Sequence, residues 1–259
     1  MDLFFDKKIA EEYTSQSQKI RVLTEDWVNK QIYCPNCGKS DLGKYENNKP
    51  VADFFCKNCN EDYELKSKKD AIGAKIVDGA YGTMIDRLKS TKNPNFFLLN
   101  YSLQNFSVLN FFVIPKHFFV PEIIEKRKPL ANTARRAGWV GCNILLSTIP
   151  QSGKIFLIKN GIIETKERVA ISWNKTLFLR EEKDSASKGW LLDIMTCVES
   201  FGMNEFSLME MYSFESILKR KHQDNNHIKE KIRQQLQILR DKHYLEFIDR
   251  GQYRIRNIA

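Results

Sequence analysis

The residues of this 259-residue chain best suited to chemistry lie in one short stretch. Pro50-Val51-Ala52-Asp53 is followed, eleven residues beyond Asp53, by Glu64-Leu65-Lys66. Side chains alternate along a strand, so Glu64 and Lys66 share one face of it and Leu65 points to the other. If the two segments pair as a hairpin, Asp53 falls opposite Glu64 on that face. Two converging carboxylates bind a hard divalent cation, here Mg²⁺, and the backbone carbonyl of Leu65 is a candidate third ligand. Such a cation polarises a scissile phosphate and lowers the pKa of the attacking water. Lys66 adds a compact positive charge that stabilises the developing phosphorane or orients the water. E-x-K alone is a common pattern, and with Lys68 and Lys69 following it also suits a solvated edge strand. The second carboxylate at short separation turns the reading towards phosphodiester hydrolysis.

Around the same stretch stand two paired cysteines, Cys34-Pro35-Asn36-Cys37 and Cys56-Lys57-Asn58-Cys59, with eighteen residues between the pairs. Two C-x-x-C knuckles at this separation can surround one tetrahedral Zn²⁺, with Zn–S near about 2.3 Å. Gly38 supplies the backbone freedom that such a knuckle uses. Four thiolates close the coordination sphere, so the metal is expected to be structural, not catalytic. The second knuckle would form the turn of the catalytic hairpin and fix its register. A slip of one residue would send Glu64 and Lys66 to the opposite face. Cys142 and Cys197 stand alone and read as small buried hydrophobes.

The elements that must position these groups follow from periodicity. Residues 8–31 read as helix with a break around Ser15–Ser17. Val51–Phe55 and Tyr63–Lys66 read as short strands, and Ile76–Ser90 as helix. Phe96–Tyr101, Val108–Ile114 and Ile155–Ile158 are apolar and β-rich, as expected of central strands in a mixed sheet. The fold class is therefore α/β. The polar stretch Glu181–Gly189 reads as a linker, with a boundary near residue 184. Helices are expected over about 190–201, 207–221 and 226–242, then a hairpin of Tyr244–Ile248 and Tyr253–Ile255 about the turn 249–252. That order is the order of a winged helix.

The third of these helices carries a stripe of Ile228, Ile232, Leu236 and Leu239. Its far face presents Lys229, Arg233, Gln234, Gln237 and Arg240. Gln can pair with adenine N6/N7 and Arg with guanine O6/N7. Arg250, Tyr253 and Arg254 lie in the wing behind it. A second cationic segment, Lys126–Lys128 and Arg135-Arg136-Ala137-Gly138-Trp139, combines Arg135 and Arg136 with the ring of Trp139, which suits phosphate contacts plus packing against a base. A solvated helix face and a core Trp are the plain alternatives. His222 and His227 superficially suggest an H-N-H nuclease, but that chemistry needs a ββα-metal frame, and this stretch joins two helices.

A net charge of +9 suits a polyanionic partner but is weak evidence by itself. With 42% hydrophobic residues and 12% aromatic ones, the chain can bury a core and is not disordered. No apolar run approaches a membrane span, and the first residues lack the pattern of a signal peptide. The expectation is a cytoplasmic protein, where paired cysteines serve as metal ligands more often than as disulfides.

Taken together, these residues carry a resemblance. The sequence resembles the DpnI-type restriction endonucleases, which cut GATC only when its adenine is methylated. The similarity runs nearly end to end, through Ile20–Trp27, Tyr33–Cys37, Glu46–Asp53, Glu64–Lys69, Asn93–Phe97, Lys128–Asn143 and Asn225–Lys242. It implies a PD-(D/E)XK catalytic domain with a zinc knuckle, here residues 1–183, joined to a winged-helix DNA-binding domain, here 184–259. Asp53, Glu64 and Lys66 match the catalytic positions, and Cys34, Cys37, Cys56 and Cys59 match the zinc ligands. It also implies a monomer that nicks each strand of adenine-methylated double-stranded DNA in turn. The competing readings are a zinc-containing winged-helix regulator without catalysis, and a related nuclease with another target or no methyl dependence. The role of Glu25, a candidate further carboxylate, is left open.

Overall fold

The computed structural model describes residues 1–46, 52–90 and 93–256. They divide into two units, Met1–Leu146 with Gly153–Asn174, and Ser147–Ser152 with Lys175–Ala259.

In chain order the first unit has α1 (Gln16–Gln31), β1 (Leu42–Lys44), β2 (Phe54–Cys56), β3 (Asp62–Lys69), β4 (Lys75–Ala80) and α2 (Tyr81–Lys89). It continues with β5 (Asn95–Ser102), β6 (Ser107–Ile114), β7 (Ile124–Lys126), β8 (Gly141–Leu145), β9 (Ile155–Lys159), β10 (Ile162–Ile163) and α3 (Lys166–Asn174). Seven strands form one sheet in the order β1-β2-β3-β5-β6-β9-β10, and β4-β8-β7 form a second. In the large sheet β3 and β5 are parallel and the other pairs antiparallel. The sheet is mixed, as the sequence predicts. Strand β5 is buried on both faces from Asn95 to Tyr101, which is why it reads as a continuous apolar run instead of an alternation. Trp27 of α1 meets Phe111 of β6 edge-on at 5.5 Å, and Phe111 in turn packs on Phe97 of β5 at 5.0 Å. Strand β3, which carries Glu64 and Lys66, is thus backed by a deeply buried part of the core.

Two predicted elements are corrected. The N-terminal helical run is a short 3₁₀ turn, Lys7–Ala10, followed by α1, with the break at Ser15 where it is expected. Ile76–Ser90 is not one helix; it is β4 followed by α2. Ile76 and Asp78 are buried while Val77 is exposed, a period of two that satisfies pairing with β8. The expected strand Val51–Phe55 begins partly outside the described residues, as does Pro50; β2 is Phe54–Cys56.

The second unit comprises α4 (Ser185–Ser200), β11 (Glu205–Ser207), α5 (Leu208–Tyr212), α6 (Glu215–Lys221), α7 (Ile228–Asp241), β12 (Leu245–Asp249) and β13 (Gln252–Ile255). The stretch read as linker is helical from Ser185. Asp184 caps α4 by accepting the Ser187 N–H at 2.7 Å. Asp and Ser are favoured both in loops and at helix starts, so composition alone cannot tell the two apart. The expected helix 207–221 breaks at Ser213-Phe214 into α5 and α6. A capping box formed by Ser207 and Glu210 starts α5, a device that contributes about 1 kcal/mol. The expected hairpin β12–β13 gains a third strand, in the order β11-β13-β12. On α7 the predicted stripe Ile228, Ile232, Leu236 and Leu239 is buried, and Gln235 joins it. Among the described residues, no helix is long and apolar enough to cross a membrane.

Candidate active site and metal centre

The two cysteine pairs converge. Cys34, Cys37, Cys56 and Cys59 bring their sulfurs within 4.8 Å of one another, and they are the one group of three or more such ligands among the described residues. Each pair sits in a knuckle of the same design. The Gly38 amide donates to the Cys34 carbonyl at 2.8 Å and the Asn60 amide to the Cys56 carbonyl at 2.9 Å. Both Gly38 and Asn60 take positive φ, +72° and +57°, which Gly adopts freely and Asn more readily than most residues. Burial pushes the Cys34 thiol up, against the pull of the Tyr63 hydroxyl 3.0 Å away. Burial also raises Cys37, but hydrogen bonds headed by the Lys39 amide outweigh it and bring that thiol down to about 7. Four sulfurs at this spacing suit a tetrahedral metal ion with no open position. The predicted quartet is assembled.

Strands β2 and β3 pair through the turn that carries Cys56 and Cys59, with Phe54 opposite Tyr63 and Phe55 opposite Asp62. Asp53 stands at a bend just before β2, and its amide donates to the Tyr63 carbonyl at 3.0 Å, so it faces Tyr63 along with Phe54, one residue short of the position opposite Glu64 that a regular hairpin predicts. The Asp53 carboxylate accepts the Leu65 N–H at 2.7 Å. Burial raises the pKa of Asp53 and the nearby Glu25 adds to the rise, while the Leu65 amide and the cations Lys66 and Arg21 oppose it. A buried carboxylate in this position is poised to gain from a bound cation. Asp53 and Leu65 line a cavity of about 780 Å³, together with Arg21, Thr24, Glu25 and Ser67. Glu25 itself is held between Arg21 at 2.6 Å and Lys44 at 2.8 Å.

Glu64 and Lys66 form an ion pair at 2.6 Å, as neighbours on one strand face can. Lys66 also meets Asp78 of β4 at 2.5 Å, and Arg87 of α2 reaches Glu64 at 3.1 Å. Burial alone would lower the pKa of Lys66, but the carboxylates of Glu64 and Asp78 outweigh it and raise it. Lys66 is therefore held as a fixed cation. Sequence reasoning missed Asp78 and Arg87. Both lie beyond the hairpin, in a segment read as one helix, and an isolated acidic or basic residue there carries no signal of its own. Carboxylate and carbonyl oxygens such as those of Asp53, Glu64 and Leu65 are the donors a hard divalent cation takes; here Asp53 lines the cavity beside α1, and Glu64 is held by Lys66 and Arg87.

The predicted DNA-facing residues fall in two places. Within the first unit, β7 and β8 are joined by a loop that closes on itself, with the Leu130 amide donating to the Trp139 carbonyl at 2.9 Å. Arg135 and Arg136 are exposed, and the Arg136 guanidinium lies 4.8 Å from the centre of the Trp139 ring. Trp139 is half-buried and not core. Its ring covers Gly141, where a Cβ would come within 2.8 Å of it, so only glycine permits this packing. Within the second unit, Lys229, Arg233, Gln234, Gln237 and Arg240 are all exposed on α7, and Arg250 is exposed at the β12–β13 turn. Lys229 pairs with Glu215 at 3.4 Å, Arg233 reaches the Tyr212 hydroxyl at 2.7 Å, and Arg240 pairs with Asp241 at 2.8 Å. Contacts as exposed as these are screened by solvent and are readily exchanged for others. His222 stacks on Trp190 at 3.6 Å and pairs with Asp193 at 2.9 Å, a helix-packing arrangement unlike an H-N-H site. Cys142 and Cys197 are buried, as expected.

Known families match this arrangement along the chain. The profile of the Dam-replacing family, the DpnI family, matches residues 1–182. That of the Dam-replacing HTH domain matches residues 186–255. The first match covers the hairpin and the cysteine quartet, and the second covers α4 through β13. An α/β domain with a four-cysteine cluster, followed by a helix-turn-helix domain, is thus accounted for on both sides, and the chain belongs to the Dam-replacing family of restriction endonucleases.

Proposed function

We propose that the protein is a Mg²⁺-dependent type II endonuclease that hydrolyses both strands of double-stranded DNA at GATC sites carrying N6-methyladenine. The observation that carries this reading is the hairpin in which the Asp53 carboxylate accepts the Leu65 N–H, between Glu64 and a Lys66 held cationic by Glu64 and Asp78. The proposed first domain, residues 1–183, is a PD-(D/E)XK nuclease stapled by zinc, and the second, 184–259, a winged-helix reader.

Asp53, Glu64 and the Leu65 carbonyl would hold the Mg²⁺, which supplies polarisation of the scissile phosphate and acidification of its water. Lys66 stabilises the negative charge that gathers on the phosphoryl oxygens. Asp78 keeps the Lys66 ammonium directed, and Arg87 does the same for Glu64. Zn²⁺ on Cys34, Cys37, Cys56 and Cys59 holds the hairpin turn and takes no part in the chemistry.

Target choice falls to the readers. Trp139 with Arg135 and Arg136 supplies stacking and phosphate contacts from the first domain. Gln234 and Gln237 suit adenine, and Lys229, Arg233, Arg240 and Arg250 suit guanine or phosphate. N6-methylation leaves one N–H on the adenine, so a reader needs an apolar cavity beside an acceptor. The proposed enzyme works as a monomer in the cytoplasm, nicking each strand in turn.

A plasmid digest tests the reading. With Mg²⁺, DNA from an adenine-methylating host is expected to be cut at GATC and the same plasmid from a non-methylating host left intact. Equal cutting of both would overturn methyl dependence, and cutting of neither would favour a DNA-binding regulator without catalysis.

A further inference from the structure

Tyr63 stands in β3 immediately before Glu64, with its side chain on the face opposite Glu64 and Lys66. It is fully buried, and its ring stacks on Phe97 at 4.3 Å with an interplanar angle of 4°. At the far end of that ring the hydroxyl lies 3.0 Å from Cys34 Sγ. At the near end, the Tyr63 carbonyl accepts the Asp53 N–H at 3.0 Å. One residue therefore touches a sulfur of the quartet through its side chain and the backbone of a candidate magnesium ligand through its carbonyl.

Cys34 takes the Cys37 N–H from within its knuckle and the Tyr63 hydroxyl from outside it. It is fully buried, so water cannot share its negative charge. Cys37 and Cys59 take side-chain hydrogen bonds from within the knuckles, from Asn58 and Asn36 respectively. Cys34 receives a hydroxyl from the neighbouring strand instead. With the sulfur ligated as thiolate, the Tyr63 O–H donates to it, drawing charge from the sulfur and fixing where it sits. Groups that orient metal ligands in this way typically change metal affinity by about 10–100-fold when removed.

We propose that Tyr63 is a positioning residue that ties the zinc site to the strand carrying Glu64 and Lys66, its hydroxyl holding Cys34 and its carbonyl holding the Asp53 backbone, so that zinc occupancy and the placement of Asp53 are coupled through one residue. The proposal rests on the quartet binding zinc. Tyr63→Phe keeps the ring and its stack on Phe97 and deletes only the hydroxyl. The full chain carrying this change is expected to take up zinc one per chain but release it to a chelator about 10-fold faster than the wild type. With Co²⁺ in place of zinc, its thiolate charge-transfer band should shift. Cutting should fall as zinc is lost and return when zinc is supplied in excess. Tyr45→Phe is the control, since it removes a hydroxyl that donates to Asp62 at 2.9 Å, and should leave release and band unchanged. Equal release rates and identical cobalt bands for Tyr63→Phe and the wild type would overturn the role of Tyr63. A wild type that binds neither zinc nor cobalt would overturn the zinc reading, and the proposal with it.

Discussion

Protein stripped of zinc is expected to lose cleavage completely, with Mg²⁺ in any excess, and to lose the fold of residues 33–66 with it. The magnitudes decide this outcome. Structural zinc in small four-ligand sites contributes roughly 10–16 kcal/mol of apparent binding free energy, whereas a whole domain is stable by only about 5–15 kcal/mol. Little in the segment could replace such a contribution. The strand β1 has three residues and β2 three, and the second knuckle forms the turn between β2 and β3. Strand β3 stays paired with β5 from Tyr63 to Lys69, but β2 would be free to slip along it, and a slip of one residue carries Asp53 away from Leu65 and Glu64. Circular dichroism and a nicking assay on chelator-treated protein, before and after zinc is returned, check the expectation. Full activity in a zinc-free preparation would separate the folding metal from the cutting chemistry.

The second large effect concerns Asp53. Asp53→Ala is expected to bind a methylated GATC duplex within about twofold of the wild type and to cut it at least about 1000-fold more slowly, a loss of about 4 kcal/mol of transition-state stabilisation. Binding survives because the candidate readers lie elsewhere, on the Trp139 loop and on α7. Cutting fails because the Asp53 carboxylate both accepts the Leu65 N–H and lines the cavity beside α1. Single-turnover cleavage measured beside equilibrium binding separates the two. Retained cleavage would remove Asp53 from the mechanism.

The hairpin and its staple were readable because their information is local and chemically distinctive. Cysteine pairs two residues apart, a carboxylate, and an E-x-K triplet all fall between Cys34 and Lys66. Burial of β5 and β6 was equally legible, since Phe96–Leu99 and Phe111–Ile114 admit few other placements. The groups that hold Lys66 and Glu64 were not legible. Asp78 and Arg87 act only because β4 pairs with β8 and turns into α2, a tertiary outcome that residue periodicity mistook for one helix. Asp184 was hidden for a different reason, because the residues that begin a helix are those that also fill a linker. Gln235 shows the limit on α7. Its place in the buried stripe follows from helix geometry, but a polar residue there breaks the pattern that marks the stripe.

That one hairpin holds the catalytic cation is the claim on which the rest depends, and Mn²⁺ binding followed by electron paramagnetic resonance tests it most directly. Free Mn²⁺ gives a sharp signal that is lost on binding, so titrating zinc-loaded protein with a methylated duplex present counts the cation sites. The wild type is expected to remove Mn²⁺ from solution in proportion to protein, while Asp53→Ala and Glu64→Ala, with their zinc retained, leave it free. Equal Mn²⁺ binding by all three proteins would contradict the account and place the catalytic cation elsewhere.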